Sequence, residues 1–346
     1  MPSLCLLGTL KQRKKFFLKL LCLLNLKISC GFWNKVVHVK LVNWTFLIFC
    51  CFGLSLWAVR DEVDQESGEA QFRVEVGAVN VLVTVHDKDS GEFVTDLTRD
   101  DFQIYESGVL QRVTNFSQQS NLPLTIALCV DTSSSVKLKL DFEKEAAIDF
   151  LFSVMRTSDR VLLLEFDTGV TLLHDFTSDP NDLIREVKSM QAGGGTSLYD
   201  AVYLVAEQKM LYEGGRKTVV ILSDGVDLTS KHTFEDALRM AYQAEVAVYA
   251  ISTSRFGADV DHQGDNTLKQ LTEATGGKAF YPVSEKQLTA AFKEIDKELR
   301  SQYNLAYISK NKKKDGAFRK IRVKVSQGNS RIRYRQGYFA QLREEF

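Results

Sequence analysis

Asp131, Ser133 and Ser135 alternate along the loop Val130-Asp131-Thr132-Ser133-Ser134-Ser135, directly after the apolar run Leu124 to Val130. One carboxylate and two hydroxyls on a tight loop are hard oxygen donors, and such donors suit a small hard cation, Mg2+ or Mn2+. Two further segments offer the same chemistry. Gly193-Gly194-Gly195-Thr196-Ser197 carries the Thr196 hydroxyl, and Ser223-Asp224-Gly225 carries a carboxylate where another apolar run ends. Hydroxyls bring no charge, so a divalent cation held mainly by them stays under-neutralised and open to an acidic group from a partner. Other chemistries find less support. No Gly-Lys-Ser/Thr follows the glycines, no Gly-x-Ser-x-Gly elbow occurs, and His86, His174, His232 and His262 lack metal-ligand spacing. Asp259, Asp261, His262 and Asp265 read as a solvated polar loop.

The donors need a scaffold that brings three separate loops to one edge. Apolar strands at Leu124 to Val130, Val161 to Phe166, Thr218 to Leu222 and Val246 to Ile251 alternate with helical stretches at 138–155, 181–190, 198–213, 233–245 and 266–275. Near-continuous apolar strands separated by helices predict an α/β fold, a doubly wound and mostly parallel sheet covered on both faces. Ligands of such sheets bind beyond the carboxyl ends of the strands, where all three donor loops fall. A last helix starts at Ser284, with Gln287 three residues on, and carries apolar residues at Leu288, Ala291, Phe292, Ile295 and Leu299.

On both sides of this region the apolar period becomes two. Val81, Val83 and Val85 precede it, with short strands near Phe102 to Tyr105 and Val113 to Phe116; Phe72, Val74 and Val76 lie on the other phase, with a break at Ala78 and Val79. Tyr303, Leu305 and Tyr307, then Ile321, Val323 and Val325, then Ile332 and Tyr334 follow it, with Gln327-Gly328-Asn329 as a turn. The economical arrangement is a flanking β-sandwich built from N- and C-terminal strands, with the α/β domain inserted into it. The expected domains are a leader at 1–59, a linker at 60–71, an N-terminal Ig-like β segment at 72–120, the α/β domain at 121–300 and C-terminal strands at 301–342.

The set Asp131, Ser133, Ser135, Thr196 and Asp224 resembles the metal-ion-dependent adhesion site (MIDAS) of the von Willebrand factor A domain, Asp-x-Ser-x-Ser, then Thr, then Asp. The likeness covers about residues 122–300. Ser134 stands where that pattern usually has Gly. The flanking segments, including Asp101-Phe102-Gln103-Ile104-Tyr105-Glu106 and Leu299-Arg300-Ser301-Gln302-Tyr303, look like exported bacterial VWFA-related proteins common in acidobacteria. The resemblance implies that Asp131, Ser133, Ser135 and Thr196 sit on or near the metal and that Asp224 acts through water. It also implies a binding role, in which the cation captures an Asp or Glu carboxylate of a protein ligand, and makes the last helix a candidate switch element.

Charge and cysteine usage bear on compartment. The chain has 346 residues, 45% hydrophobic and 25% charged, which excludes wholesale disorder and a polytopic membrane protein. Its net charge of zero conceals three zones: eight basic and no acidic residues in 1–58, 23 basic against 41 acidic in 59–299, and 13 against 3 in 300–346. Leu41 to Val59 is an uncharged apolar run preceded by Lys35 and Lys40, a signal sequence or a single membrane anchor, so the expected location is periplasmic, cell-surface or secreted. Five of six cysteines precede residue 52, and Cys129 reads as a buried strand residue.

Lys320, Arg322 and Lys324, then Arg331, Arg333 and Arg335, predict a hairpin with six cations on one face, suited to the acidic α/β domain or an anionic envelope surface. Nucleic acid is disfavoured by export. The expected function is therefore an exported, cation-dependent binding module and not an enzyme. A metal-dependent hydrolase or phosphoryl-transfer enzyme, with Asp200 or Asp227 as base, is the alternative; a structural envelope protein with a stabilising metal is the third reading.

Overall fold

In the computed structural model residues 77–118, 123–256 and 262–342 are described, all within the unit Phe72–Phe346. The expected leader, the linker and Phe72 to Val76 lie outside the described residues. The first half comprises strands β1 (Ala78–Asp87), β2 (Phe102–Glu106), β3 (Val109–Gln111), β4 (Val113–Gln118) and β5 (Leu124–Asp131), then helix α1 (Leu140–Val154), β6 (Arg160–Phe166), β7 (Val170–Thr177), α2 (Pro180–Ser189) and α3 (Leu198–Val205). Then come β8 (Arg216–Ser223), α4 (Phe234–Gln243), β9 (Ala247–Ser252), α5 (His262–Thr275), β10 (Ala279–Phe280), α6 (Glu285–Arg300), β11 (Tyr303–Ile308), β12 (Phe318–Val325), β13 (Ser330–Arg333) and β14 (Gly337–Phe339).

β5, β8 and β9 are buried at every position, as expected for central strands covered on both faces. They form the middle of a six-stranded sheet ordered β10-β9-β8-β5-β6-β7, parallel except where β7 runs antiparallel to β6. Alternate residues of β5 face opposite cores. Leu124, Ile126, Leu128 and Val130 pack with Phe150 and Leu151 of α1, Val187 of α2 and Phe292 and Ile295 of α6. Ala127 and Cys129 pack with Val202 of α3, Ala241 of α4 and Leu268 of α5. Cys129 is a free, fully buried thiol.

Local signals set the helix ends. The Asp179 side chain accepts from Asn181 N with Pro180 in the first turn of α2, and Thr233 and Asp236 form a reciprocal capping box on α4. Ser284 caps α6, but the Gln287 side chain reaches Val283 N at 3.0 Å instead of closing the box on Ser284. α3 runs on into a π-turn over Ala206–Met210.

The flanking strands build two antiparallel sheets, β13-β1-β11-β4 and β14-β12-β2-β3, so each contains strands from both ends of the chain. Val81 lies opposite Leu305 and Ile104 opposite Val323. The two sheets share one core, with Val81, Val83, Tyr303 and Leu305 from the first facing Phe102, Ile104, Ile321 and Val323 from the second. The α/β part leaves after β4 and returns at β11, and those strands pair with Gln118 opposite Tyr303. Entry and exit are therefore neighbours, the geometry an inserted domain requires.

The expected basic hairpin does not form. β12 pairs with β14 and β2, whereas β13 pairs with β1 in the other sheet, and residues 327–329 carry the chain across. Ile321 and Val323 reach the shared core from one sheet and Ile332 reaches it from the other. The cations are divided accordingly. Lys320, Arg322 and Lys324 are exposed, while Arg333 and Arg335 turn toward the α/β part and pair with Glu298 and Glu245.

Candidate metal centre

β5 and β8 are adjacent and parallel, Val130 beside Leu222, so Asp131 and Asp224 leave the sheet at the same edge. Asp131 is fully buried; its Oδ1 accepts from Ser133 N at 2.9 Å and its Oδ2 from the Ser223 hydroxyl at 2.6 Å. The Ser133 and Ser135 hydroxyls lie 3.0 Å apart, and Ser135 Oγ donates to Asp224 Oδ2 at 2.7 Å. Asp224 Oδ1 is held by Val226 N at 3.1 Å. Asp131, Ser133, Ser135 and Asp224 thus form one continuous hydrogen-bonded chain.

The glycine loop is clamped onto the first loop. Gly193 N donates to Thr132 O at 2.7 Å, and Ser134 donates through both N and Oγ to Gly194 O at 3.2 and 2.9 Å. Ser134, unusual for the pattern, therefore ties the two loops together. Thr196 is 3% exposed and its carbonyl accepts from Leu228 N and Thr229 N, but no hydrogen bond joins its hydroxyl to the other four residues. After Asp224 the chain turns at Gly225, with φ of +82°; a Cβ there would lie 2.3 Å from Gly264 O of α5. Only glycine accommodates both the left-handed backbone and that approach.

Sequence reasoning missed Glu143. It is 2% exposed on α1, and neither carboxylate oxygen has a hydrogen-bond partner. Burial, followed by the charge of Asp131, raises its pKa to about 8, with the charge of Lys139 acting the other way. Burial likewise raises Asp131 to about 6, against the hydrogen bonds from Ser133 and Ser223. The signal was present: Leu140, Glu143, Ala146, Ala147, Phe150 and Leu151 follow the helical period, so Glu143 stands on the buried stripe. Asp131, Asp224 and the Ser133 and Ser135 hydroxyls bring together hard oxygen donors of the kind that suit a divalent cation. Among the described residues no group of three or more His, Cys, Asp or Glu side chains is arranged to hold a metal, so a cation here depends on the hydroxyls.

The two carboxylates considered as a catalytic base are both engaged. Asp200 accepts from the backbone of Lys231 and His232 and from His232 Nδ1 at 2.7 Å; Asp227 accepts from Tyr199 N and the Ser230 hydroxyl. Both hold the 227–232 loop against the start of α3.

Residues 126–226 match the von Willebrand factor type A domain, a span that contains all five candidate ligands. The chain carries a von Willebrand A domain. No curated protein matches the chain significantly. Among solved structures, a von Willebrand factor type A protein from Catenulispora acidiphila aligns at 10% identity and a TM-score of 0.46, covering 77% of this chain and 74% of that one. The PilB minor pilin from Streptococcus sanguinis aligns at 15% identity and a TM-score of 0.43, covering 53% of this chain and 62% of the pilin. A proximal thread matrix protein from the mussel byssus, described with zinc in its MIDAS motif, aligns at 16% and a TM-score of 0.46, covering 56% of this chain and 49% of its own. The A domain of the present chain presents its candidate site at the carboxyl edge of β5 and β8, with the sandwich strands outside the matched span.

Proposed function

We propose that the protein is an exported, cation-dependent binding module whose A domain captures an acidic side chain of a protein partner. Asp131, Ser133, Ser135 and Thr196 would hold the cation and Asp224 would act through water. The observation that carries this reading is the hydrogen-bonded chain from Asp131 through Ser133 and Ser135 to Asp224, with both carboxylates buried. When bound, a Mg2+ or Mn2+ ion supplies positive charge and an open coordination position for a carboxylate. The chain's own residues fix that position. Ser223 and the Ser133 amide orient Asp131, and the Gly194 carbonyl, held by Ser134, keeps the Thr196 loop against the site. Export rests on the apolar run at 41–59 and its preceding basic residues. Among the described residues no helix is long and apolar enough to cross a membrane.

Titration calorimetry with Mg2+ and Mn2+, wild type against Asp131→Ala, tests this. Saturable binding in the wild type and none in the variant is expected, with binding of an Asp-containing peptide seen only when the cation is present. Equal cation binding by both proteins, or peptide binding insensitive to chelator, would refute the reading. A hydrolytic role has weaker support, because Asp200 and Asp227 are committed to backbone and side-chain donors.

A further inference from the structure

Where the A domain meets the sandwich, a groove of about 700 Å3 is lined by six cations, Lys269, Lys278, Lys320, Arg322, Arg331 and Arg333, against one carboxylate, Glu273. The volume is in the range of small-molecule sites, which concentrate at domain junctions. Two of the six are neutralised within the protein. Lys278 pairs with Glu294, and Arg333 makes a double contact with buried Glu298 at 2.5 and 3.0 Å. Arg322 lies 5.2 Å above the Tyr105 ring. Lys269, Lys320, Arg322 and Arg331 enter no ion pair among the described residues, and all four are exposed. Four uncompensated cations thus face one carboxylate across a concave surface.

The walls are fixed before any ligand arrives. β12 contributes Lys320 and Arg322 on its outer face, because Ile321 and Val323 take the inner one. β13 contributes Arg331, and α5 brings Lys269 from the A domain side. The two sides are joined by the Arg333–Glu298 pair and by Gln336 N donating to Ala274 O at 2.8 Å. A groove held open with like charges on both walls is pre-organised for a compact, multiply charged anion.

We propose that this groove binds a small anion carrying two or more phosphate groups. Each phosphate brings more than one negative charge and three acceptor oxygens, so two or three linked groups on one compact molecule match the charge of four free cations. The guanidinium groups of Arg322 and Arg331 suit paired phosphate oxygens, with Lys269 and Lys320 as point charges. The same chemistry is offered by a soluble oligophosphate and by a phosphorylated lipid headgroup. The inference is independent of the cation reading, since the metal candidates lie at the carboxyl edge of the sheet and none lines the groove.

The test is calorimetric titration of the full chain with tripolyphosphate and pyrophosphate, without divalent cation and at constant ionic strength, for wild type, Lys320→Gln/Arg331→Gln and Asp131→Ala. Saturable binding by the wild type is expected, unchanged in Asp131→Ala and weakened at least about tenfold in the double variant. Co-sedimentation with phosphatidylglycerol vesicles, with and without a phosphoinositide, identifies a headgroup source if that lipid alone confers binding lost in the double variant. Absence of saturable binding in both formats, or equal binding by wild type and double variant, would overturn the proposal. Both substituted residues are exposed and unpaired, so the variant keeps the fold contacts of the wild type.

Discussion

Glu143 shows how a single residue can be visible in a sequence and still be missed. Its neighbours Asp141, Lys144 and Glu145 give the segment the look of a solvated helix face, and only the 3.6-residue period reveals that this one acid joins the apolar stripe. The Asp-x-Ser-x-Ser spacing is easier to read because its three oxygens come from one loop. The tie made by Ser134 and the orientation of Asp131 by Ser223 depend on pairings between loops 60 and 92 residues apart, which no local pattern encodes. The buried acids make stability depend on pH. Glu143 is raised from 4.5 to about 8 and Asp131 from 3.8 to about 6, so folding takes up protons and the cation-free protein loses stability as pH rises across those windows. Glu143→Gln removes one of these penalties and is expected to stabilise the protein at pH 8 by roughly 2–4 kcal/mol while changing little at pH 4. Urea denaturation at the two pH values checks this; a gain of equal size at both would show that the charge of Glu143 is not the cause. By the same logic, if the site takes Mg2+, the stabilisation by that ion should grow as pH rises through about 6, where Asp131 loses its proton.

At the scale of elements, the central strands and most helices follow from composition, because the middle of a strand buried on both faces is a near-continuous apolar run. β7 escapes that rule. As an edge strand it mixes exposed and half-buried residues, and Val170 to Thr177 shows neither a continuous apolar run nor strict alternation. The pairing of β12 and β13 with different sheets is equally hidden, since the turn at 327–329 looks the same whether it closes a hairpin or crosses a sandwich. On β13 the half-buried Arg333 pairs with Glu298, the fully buried acid at the end of α6 that also accepts from Tyr249 at 3.1 Å. Burial raises Glu298 and Arg333 lowers it, so removing the arginine strands a carboxyl in the junction. Arg333→Met is expected to cost about 3–5 kcal/mol. Adding Glu298→Gln should restore much of it, and chemical denaturation of the single and double variants separates the ion pair from simple loss of packing. An additive outcome would mean that the pair contributes nothing beyond its parts.

The whole molecule is organised by where the chain interrupts itself. Alternating valines and tyrosines on either side of the A domain announce two sets of strands, and the shared core explains why they merge. Neither set alone has enough strands to cover a hydrophobic face, while together they close a sandwich of two four-stranded sheets. The A domain has two complete cores of its own, and its ends emerge at Gln118 and Tyr303, side by side on paired strands. Dependence therefore runs one way. A chain ending at Arg300 loses β11 to β14, leaving β1 without either neighbour and β2 without β12, so Val81, Val83, Phe102 and Ile104 would face water. The same truncation leaves all six strands of the A domain sheet in place. Limited proteolysis of the truncated protein should cut within residues 77–118 and spare 123–300, and Mg2+ should still protect the A domain if its carboxyl edge binds the ion. Persistent protection of 77–118 would show that the N-terminal strands find partners elsewhere. Loss of protection across 123–300 would show instead that the sandwich is needed to hold α6, through Glu298 and Arg333, on the A domain core.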